Sequence, residues 1–251
     1  LSDVGCSHDC KYCYAKSLLS FRGLWNPKNP SVANVEKLKR KIDKLRKGTI
    51  VRLGGMTDCF QPIELDNRIT YKIIKYLNKR RIGYLIVTKS SIVANDEYLK
   101  IYDKDLAHFQ ITVTTTDDSK SVKYEKATVP SKRIETIEKL YKNGFDVQVR
   151  LSPFIYEYID FDILNNIKCN KILIEFLRVN HWIKQWFDID YSKYTVKHAG
   201  YEHLPLSIKK QYLQKITGFE QISVCEDVDE HFEYWKSNIN HNKKDCCNLG
   251  G

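Results

Sequence analysis

Short runs of β-branched and aromatic residues alternate along this chain with longer stretches in which apolar positions recur every three or four residues. Ile50–Leu53, Tyr84–Thr88, Phe109–Thr114, Val147–Leu151 and Ile172–Phe176 are apolar runs of strand length, as expected for strands covered on both faces. Between them lie helical patterns at Asn67–Lys79, at about Asp96 to Tyr102, at Lys132–Asn143 with Gly144 as its cap, and near Phe161–Asn166. Strands alternating with helices call for a parallel sheet with right-handed crossovers. With one further strand expected ahead of residue 6, the pattern predicts an α/β fold, an open, partial parallel (β/α)6 barrel. In such folds chemistry gathers at the C-terminal ends of the strands. A core over residues 1–180 is expected, followed by a C-terminal extension, 181–251, that closes the barrel mouth. The extension carries a late strand, Ile222–Val224, an aromatic-rich helix, Val228–Ser237, and a polar tail from Asn238. Trp182 and Trp186 stand four apart, which places them on a core-facing helical stripe rather than a base-stacking platform.

Charge alters this picture at one place. Lys and Arg number 41 against 31 Asp and Glu, a net charge of +10. Much of the excess lies between Lys37 and Lys47, around an apolar stripe of Val35, Leu38, Ile42 and Leu45. This is an amphipathic helix with a solvated basic face; contact with a phosphate backbone is its alternative use. Hydrophobic residues make up 42% of the 251, enough for one sizeable core and far from a disordered composition. No apolar run reaches membrane-spanning length and no signal peptide opens the sequence, so no membrane partner is expected. The first residue is Leu and Met56 is the only methionine, so residues are expected upstream of Leu1. Eight cysteines in a chain without marks of secretion read as ligands or redox groups in a cytoplasmic protein rather than as disulfides.

Three of them carry the chemistry. Cys6, Cys10 and Cys13, in Cys-Ser-His-Asp-Cys-Lys-Tyr-Cys, offer three thiolates on one short loop. A structural zinc site takes four ligands and an iron–sulfur cube has four irons, so three ligands suggest a centre with one open corner. A zinc knuckle completed by His8, or a cysteine cluster without metal, is the alternative. The C-x3-C-x2-C spacing, with Tyr12 before the third cysteine, resembles the signature of the radical S-adenosylmethionine (SAM) enzymes. That resemblance implies a 4Fe–4S cluster whose open iron binds SAM. One-electron reduction by a flavodoxin- or ferredoxin-type partner then yields a 5′-deoxyadenosyl radical that takes hydrogen from substrate.

The predicted strand ends fit this expectation. Leu53 is followed by Gly54-Gly55-Met56-Thr57-Asp58, similar to the glycine pair that contacts the amino group of SAM in that family. The acidic residue usual after the glycines is absent, and Thr57 or Asp58 stands in. Lys89 is a cation suited to the SAM carboxylate, and Thr112, Thr114, Arg150 and Ser152 supply polar groups for its ribose. Glu175 and Arg178 are expected to pair, because either would be costly to bury alone.

The segments Thr57–Glu64, Val87–Ser90, Ile111–Asp118 and Arg150–Pro153 resemble the branch that includes the spore photoproduct lyases, over roughly Cys6–Arg178. Those enzymes repair a thymine dimer in DNA with a cysteine thiol as hydrogen donor. Here Met56 lies where that donor is expected, and Cys59 three residues further on is the candidate catalytic thiol. Cys59, Cys225, Cys246 and Cys247 could together hold a second iron–sulfur cluster; a redox set or unrelated buried thiols are the alternatives. Substrate therefore divides into a nucleic acid or nucleotide, from charge and resemblance, and a peptide or small metabolite handled with a second cluster. A non-catalytic metal-binding module is the reading of another class.

Overall fold

Six parallel strands form a single open sheet: β1 (Ile50–Leu53), β2 (Gly83–Thr88), β3 (Ala107–Val113), β4 (Asp146–Phe154), β5 (Lys171–Phe176) and, after a small hairpin of β6 (Val196–His198) and β7 (Tyr201–His203), β8 (Gln221–Val224). This computed structural model describes residues 5–242, 245–247 and 249. The order across the sheet is β1-β2-β3-β4-β5-β8. β1 and β8 are its edges and do not meet, so the barrel is partial. All five pairings are parallel, and each crossover carries helix.

Strand content follows the sequence closely, since Ile86, Ile111, Val149, Ile172 and Ile174 are fully buried. Each such side chain contributes about 1.5–3 kcal/mol of hydrophobic stabilisation. The strand expected ahead of residue 6 lies outside the described residues. The sixth strand of the sheet is β8 instead, taken from the stretch expected to form the extension.

The helix predicted over Asn67–Lys79 is present as Ile69–Arg80, preceded by a short helix, Ile63–Asn67, that ends at Arg68 with φ +55°. Glu64 joins the two. Its buried carboxylate accepts from the backbone N–H groups of Thr70 and Tyr71, both at 2.9 Å, and so caps the second helix from inside the first. In the helix His181–Trp186 the buried residue is Ile183, whereas Trp182 is 44% exposed and stacks on Trp186 with ring centroids 5.7 Å apart. The core-facing assignment of this pair is thus corrected for Trp182. The helix Tyr14–Phe21, the β6–β7 hairpin and the helix Leu206–Leu213 have no counterpart in the sequence pattern. Among the described residues, no helix is long and apolar enough to cross a membrane.

Candidate active site

A cavity of about 310 Å³ opens at the C-terminal ends of the strands. Every strand of the sheet reaches it or delivers a loop to it: Gly54 after β1, Lys89 after β2, Thr112 on β3, Ser152 on β4, Glu175 on β5 and Cys225 after β8. The cysteine loop supplies the remaining wall with Cys6, Cys10 and Cys13.

That loop is tied down on both sides. Its turns close through Asp9 N–H to Cys6 O (3.1 Å) and Cys13 N–H to Cys10 O (3.2 Å), with Asp9 in the left-handed region at φ +40°. Lys11 N–H donates to Tyr124 O (2.9 Å) and Lys126 N–H to His8 O (2.7 Å), which stitches the loop to the segment after β3. Burial pushes the Cys6 thiol up to about 11 and the Cys10 thiol well above its ordinary value. A coordinating metal removes the proton outright.

Beneath the loop lies a buried polar network. Glu125 accepts hydrogen bonds from the Tyr12 hydroxyl and the Arg133 guanidinium, and from Thr114 Oγ1 at 3.1 Å. Cys10 Sγ is 3.7 Å from its other oxygen. Arg133 and Glu125 are completely buried, and Arg133 also donates to Thr112 O (3.1 Å). Burial works against the Glu125 charge, but Arg133 and Lys89 outweigh it and hold the carboxyl below its usual range. Lys89 stands over the face of Tyr12, 5.5 Å from the ring centroid, with no ion-pair partner among the described residues. Burial opposes its charge too, and Cys10 and Glu125 reverse the balance, raising its value.

The Gly54-Gly55 turn is shaped by backbone contact. Gly54 has φ +86°, and a Cβ there would sit 2.3 Å from Val87 O, so only glycine fits. Tyr14 Oη donates to Gly55 O (2.9 Å). Asp58 is not free to face a ligand. It accepts from Thr88 Oγ1 (2.7 Å), Lys89 N–H (2.8 Å) and Phe60 N–H (2.8 Å), with His8 Nδ1 at 3.4 Å. It locks the glycine turn against the end of β2. Thr57 lines the cavity.

At the β4–β5 end of the same cavity, Glu175 gathers three partners: Arg150 at 2.5 Å, Arg178 at 2.7 Å and Ser152 Oγ at 2.9 Å. The expected Glu175–Arg178 pair is present. Pairing of β4 with β5 shifts register between Leu151 and Phe154, and this irregularity lies where Ser152 enters the cavity.

Of the residues expected from sequence, Cys6, Cys10, Cys13, Tyr12, Gly54, Gly55, Thr57, Asp58, Lys89, Thr112, Arg150 and Ser152 all line the cavity. Thr114 does not; its hydroxyl is spent on Glu125 and on Tyr124 (3.0 Å). Cys59 does not either. It is 3% exposed in the core, and burial pushes its thiol up to about 12, which argues against the catalytic role expected for it. Cys246 and Cys247 do come together, their ligand atoms within 4.8 Å, and Cys225 is near enough to act on the Cys246 thiol. Cys59 is not with them, so the expected four-cysteine set is three.

Glu125 and Arg133 are functional residues that the sequence pattern did not single out. One signal was present. Arg133 falls on the buried stripe of its helix with Ile137 and Leu140, and a cation at a core position needs a buried carboxylate nearby. Gln61, 1% exposed, is another: its side chain accepts from Ser7 N–H (2.6 Å) and donates to Asp58 O (2.9 Å), joining cysteine loop to glycine turn.

Three thiols on one wall, a glycine turn offering carbonyls and a half-buried cation without an ion-pair partner among the described residues define a class of site with known counterparts. The sequence profile of the radical SAM superfamily matches residues 3–165, and the chain belongs to that superfamily; it is an enzyme of that class. An uncharacterized protein of Methanocaldococcus jannaschii is 29% identical over 210 residues, 78% of each chain. An uncharacterized protein of Acidianus two-tailed virus is 25% identical over 162 residues, 60% of this chain and 53% of that one. Among solved structures, a spore photoproduct lyase variant with bound SAM and dinucleoside spore photoproduct superposes with a TM-score of 0.63 over 88% of this chain and 74% of the other, at 17% identity. SuiB of Streptococcus suis bound to SAM gives 0.54 over 91% and 51%, at 12% identity. At such identities the likeness is one of fold.

Proposed function

We propose that the protein reductively cleaves SAM at a 4Fe–4S cluster held by Cys6, Cys10 and Cys13, and that its substrate is a nucleic acid or nucleotide. The observation that carries the reading is the convergence of those three cysteines, the Gly54-Gly55 turn and Lys89 on one cavity at the strand ends. When bound, cluster and cofactor supply an organic radical that removes a hydrogen atom from substrate.

The residues fit that pair. Three thiolates satisfy three irons and leave the fourth open. The Gly54 turn, into which a Cβ cannot enter, brings backbone carbonyls within reach of an ammonium group. Lys89, half-buried on the cavity wall and without an ion-pair partner among the described residues, suits the carboxylate. Tyr12 is held by Glu125 so that its ring stands between Lys89 and the core, T-shaped to Tyr124 and Phe187 at 5.7 and 5.9 Å. Thr112 and Ser152 offer hydroxyls to the ribose. A nucleic-acid substrate is supported by the net charge of +10, by Arg52 and Arg178 on the cavity wall, and by the dinucleoside bound to the spore photoproduct lyase that shares the fold.

Anaerobically reconstituted protein is expected to cleave SAM to 5′-deoxyadenosine under dithionite, and the variant with Cys6, Cys10 and Cys13 all changed to Ala is not. Cleavage persisting in the triple variant excludes the assignment.

A further inference from the structure

A group of metal-ligating side chains gathers beside the SAM site. Cys225 directly follows β8 and lines the cavity. Asp245, Cys246 and Cys247 lie in the tail, and their ligand atoms are all within 4.8 Å of one another. Cys225 lies outside that mutually close set but near enough for its thiol and that of Cys246 to act on one another. The tail is held there by Gln148, whose Nε2 donates to Cys247 O at 2.7 Å.

We propose that Cys225, Cys246, Cys247 and Asp245 form a second metal site, for a single thiophilic ion such as zinc, on the β5–β8 side of the same cavity. Spacing selects one ion over a cluster. Metal–sulfur bonds of about 2.3 Å in a tetrahedron place neighbouring ligand atoms roughly 3.8 Å apart. Cysteines on a cube each bind a different iron and must stand wider. The mutual spacing of the Asp245, Cys246 and Cys247 ligand atoms, within 4.8 Å, matches the first arrangement.

Two further features point to a ligand. Gln110 is completely buried and its Oε1 is taken by Arg150 at 2.7 Å. Its Nε2 is buried without a hydrogen-bond partner among the described residues, and the Gln110 side chain favours the Cys247 thiolate. An amide donor aimed at a thiolate is the supporting contact that metal-bound cysteine commonly receives. Charge is also provided for. Three thiolates and a carboxylate around a divalent ion leave a net charge of about −2. Arg150 acts electrostatically on both Cys225 and Cys247, and Arg178 on Cys225. Such a site would staple the tail to the last strand and fix one wall of the substrate cavity.

The test is metal content, which needs no activity. Full-length protein purified anaerobically should carry about one zinc per chain, whatever its iron content. The Cys246→Ser, Cys247→Ser double variant should lose the zinc and keep the iron of the other site. Should that variant fail to fold, wild-type protein loaded with cobalt(II) should show the visible absorption of tetrahedral cobalt thiolate, and Cys225→Ser should weaken it. Three results overturn the proposal: wild-type protein without zinc and without that cobalt spectrum, iron and sulfide near about eight per chain as two cubes require, or a Cys225–Cys246 disulfide in the anaerobic protein by mass spectrometry. Loss of SAM cleavage in the Cys6, Cys10, Cys13 variant bears only on the first site, so the two assignments fail separately.

Discussion

Glu125 shows how a residue with no motif around it can govern a site. It takes the Tyr12 hydroxyl, the Arg133 guanidinium and Thr114 in a space without water access, and so orients the aromatic of the cysteine motif. A buried pair of this kind adds little net stability when intact, but breaking it strands a charge. Glu125→Gln should therefore cost about 3–5 kcal/mol, read from chemical denaturation. The pH dependence has a definite sign. With its folded value depressed below the ordinary 4.5, the carboxyl contributes stability above that pH, and this is lost as the pH falls through the folded value. The difference in stability between wild type and Glu125→Gln should shrink below about pH 4.5 and be constant above it; a difference that grows on acidification refutes the assignment.

At the scale of elements, the sheet edge that carries Cys225 depends on a close approach between backbones. A Cβ on Gly218 would lie 2.1 Å from Asn165 O, and Asn165 Oδ1 accepts from the Thr217 and Gly218 N–H groups at 2.9 and 3.2 Å. The turn before β8 is thereby docked on the helix Phe161–Asn165. Gly218→Ala must push the two apart, at a cost of about 1–3 kcal/mol. Hydrogen exchange of the Cys225 amide, which donates to Ile174 O at 2.8 Å, should accelerate while amides of β2 and β3 keep their protection. Uniform acceleration across the sheet would instead mean that β8 is not a separable edge.

For the whole molecule, charge decides what approaches the cavity. The helix Val35–Ile42 is capped by Asn34 and buries Ile42, while Lys37 and Lys41, with Lys44 just beyond, recur at helical spacing on its exposed side. If this face meets a phosphate backbone, the logarithm of affinity for single- or double-stranded DNA falls linearly with that of salt. Changing the three lysines to Gln should reduce that slope by about 2–3, near 0.7–0.9 for each phosphate no longer neutralised. An unaltered slope removes the helix from the binding surface and leaves Arg52 and Arg178 at the cavity as the basic groups to examine.

The chain by itself determined the strands, the cysteine loop and most of the polar residues at the cavity. Those features are local: an apolar run buries both faces wherever it goes, and C-x3-C-x2-C positions three thiols over eight residues of backbone. The tertiary structure decided everything that joins distant parts of the chain. It chose β8 as the sixth strand and set Glu64, from the short helix before it, to cap the helix Ile69–Arg80. It also turned Asp58 from a ligand candidate into a clamp and withdrew Cys59 into the core. The partners of Glu125 are separated from it by up to 115 residues, and Cys225 meets a tail that lies well beyond it in the chain. A periodicity reports which face of an element is buried, but not what covers it, and a buried charge or thiol takes its role from its cover.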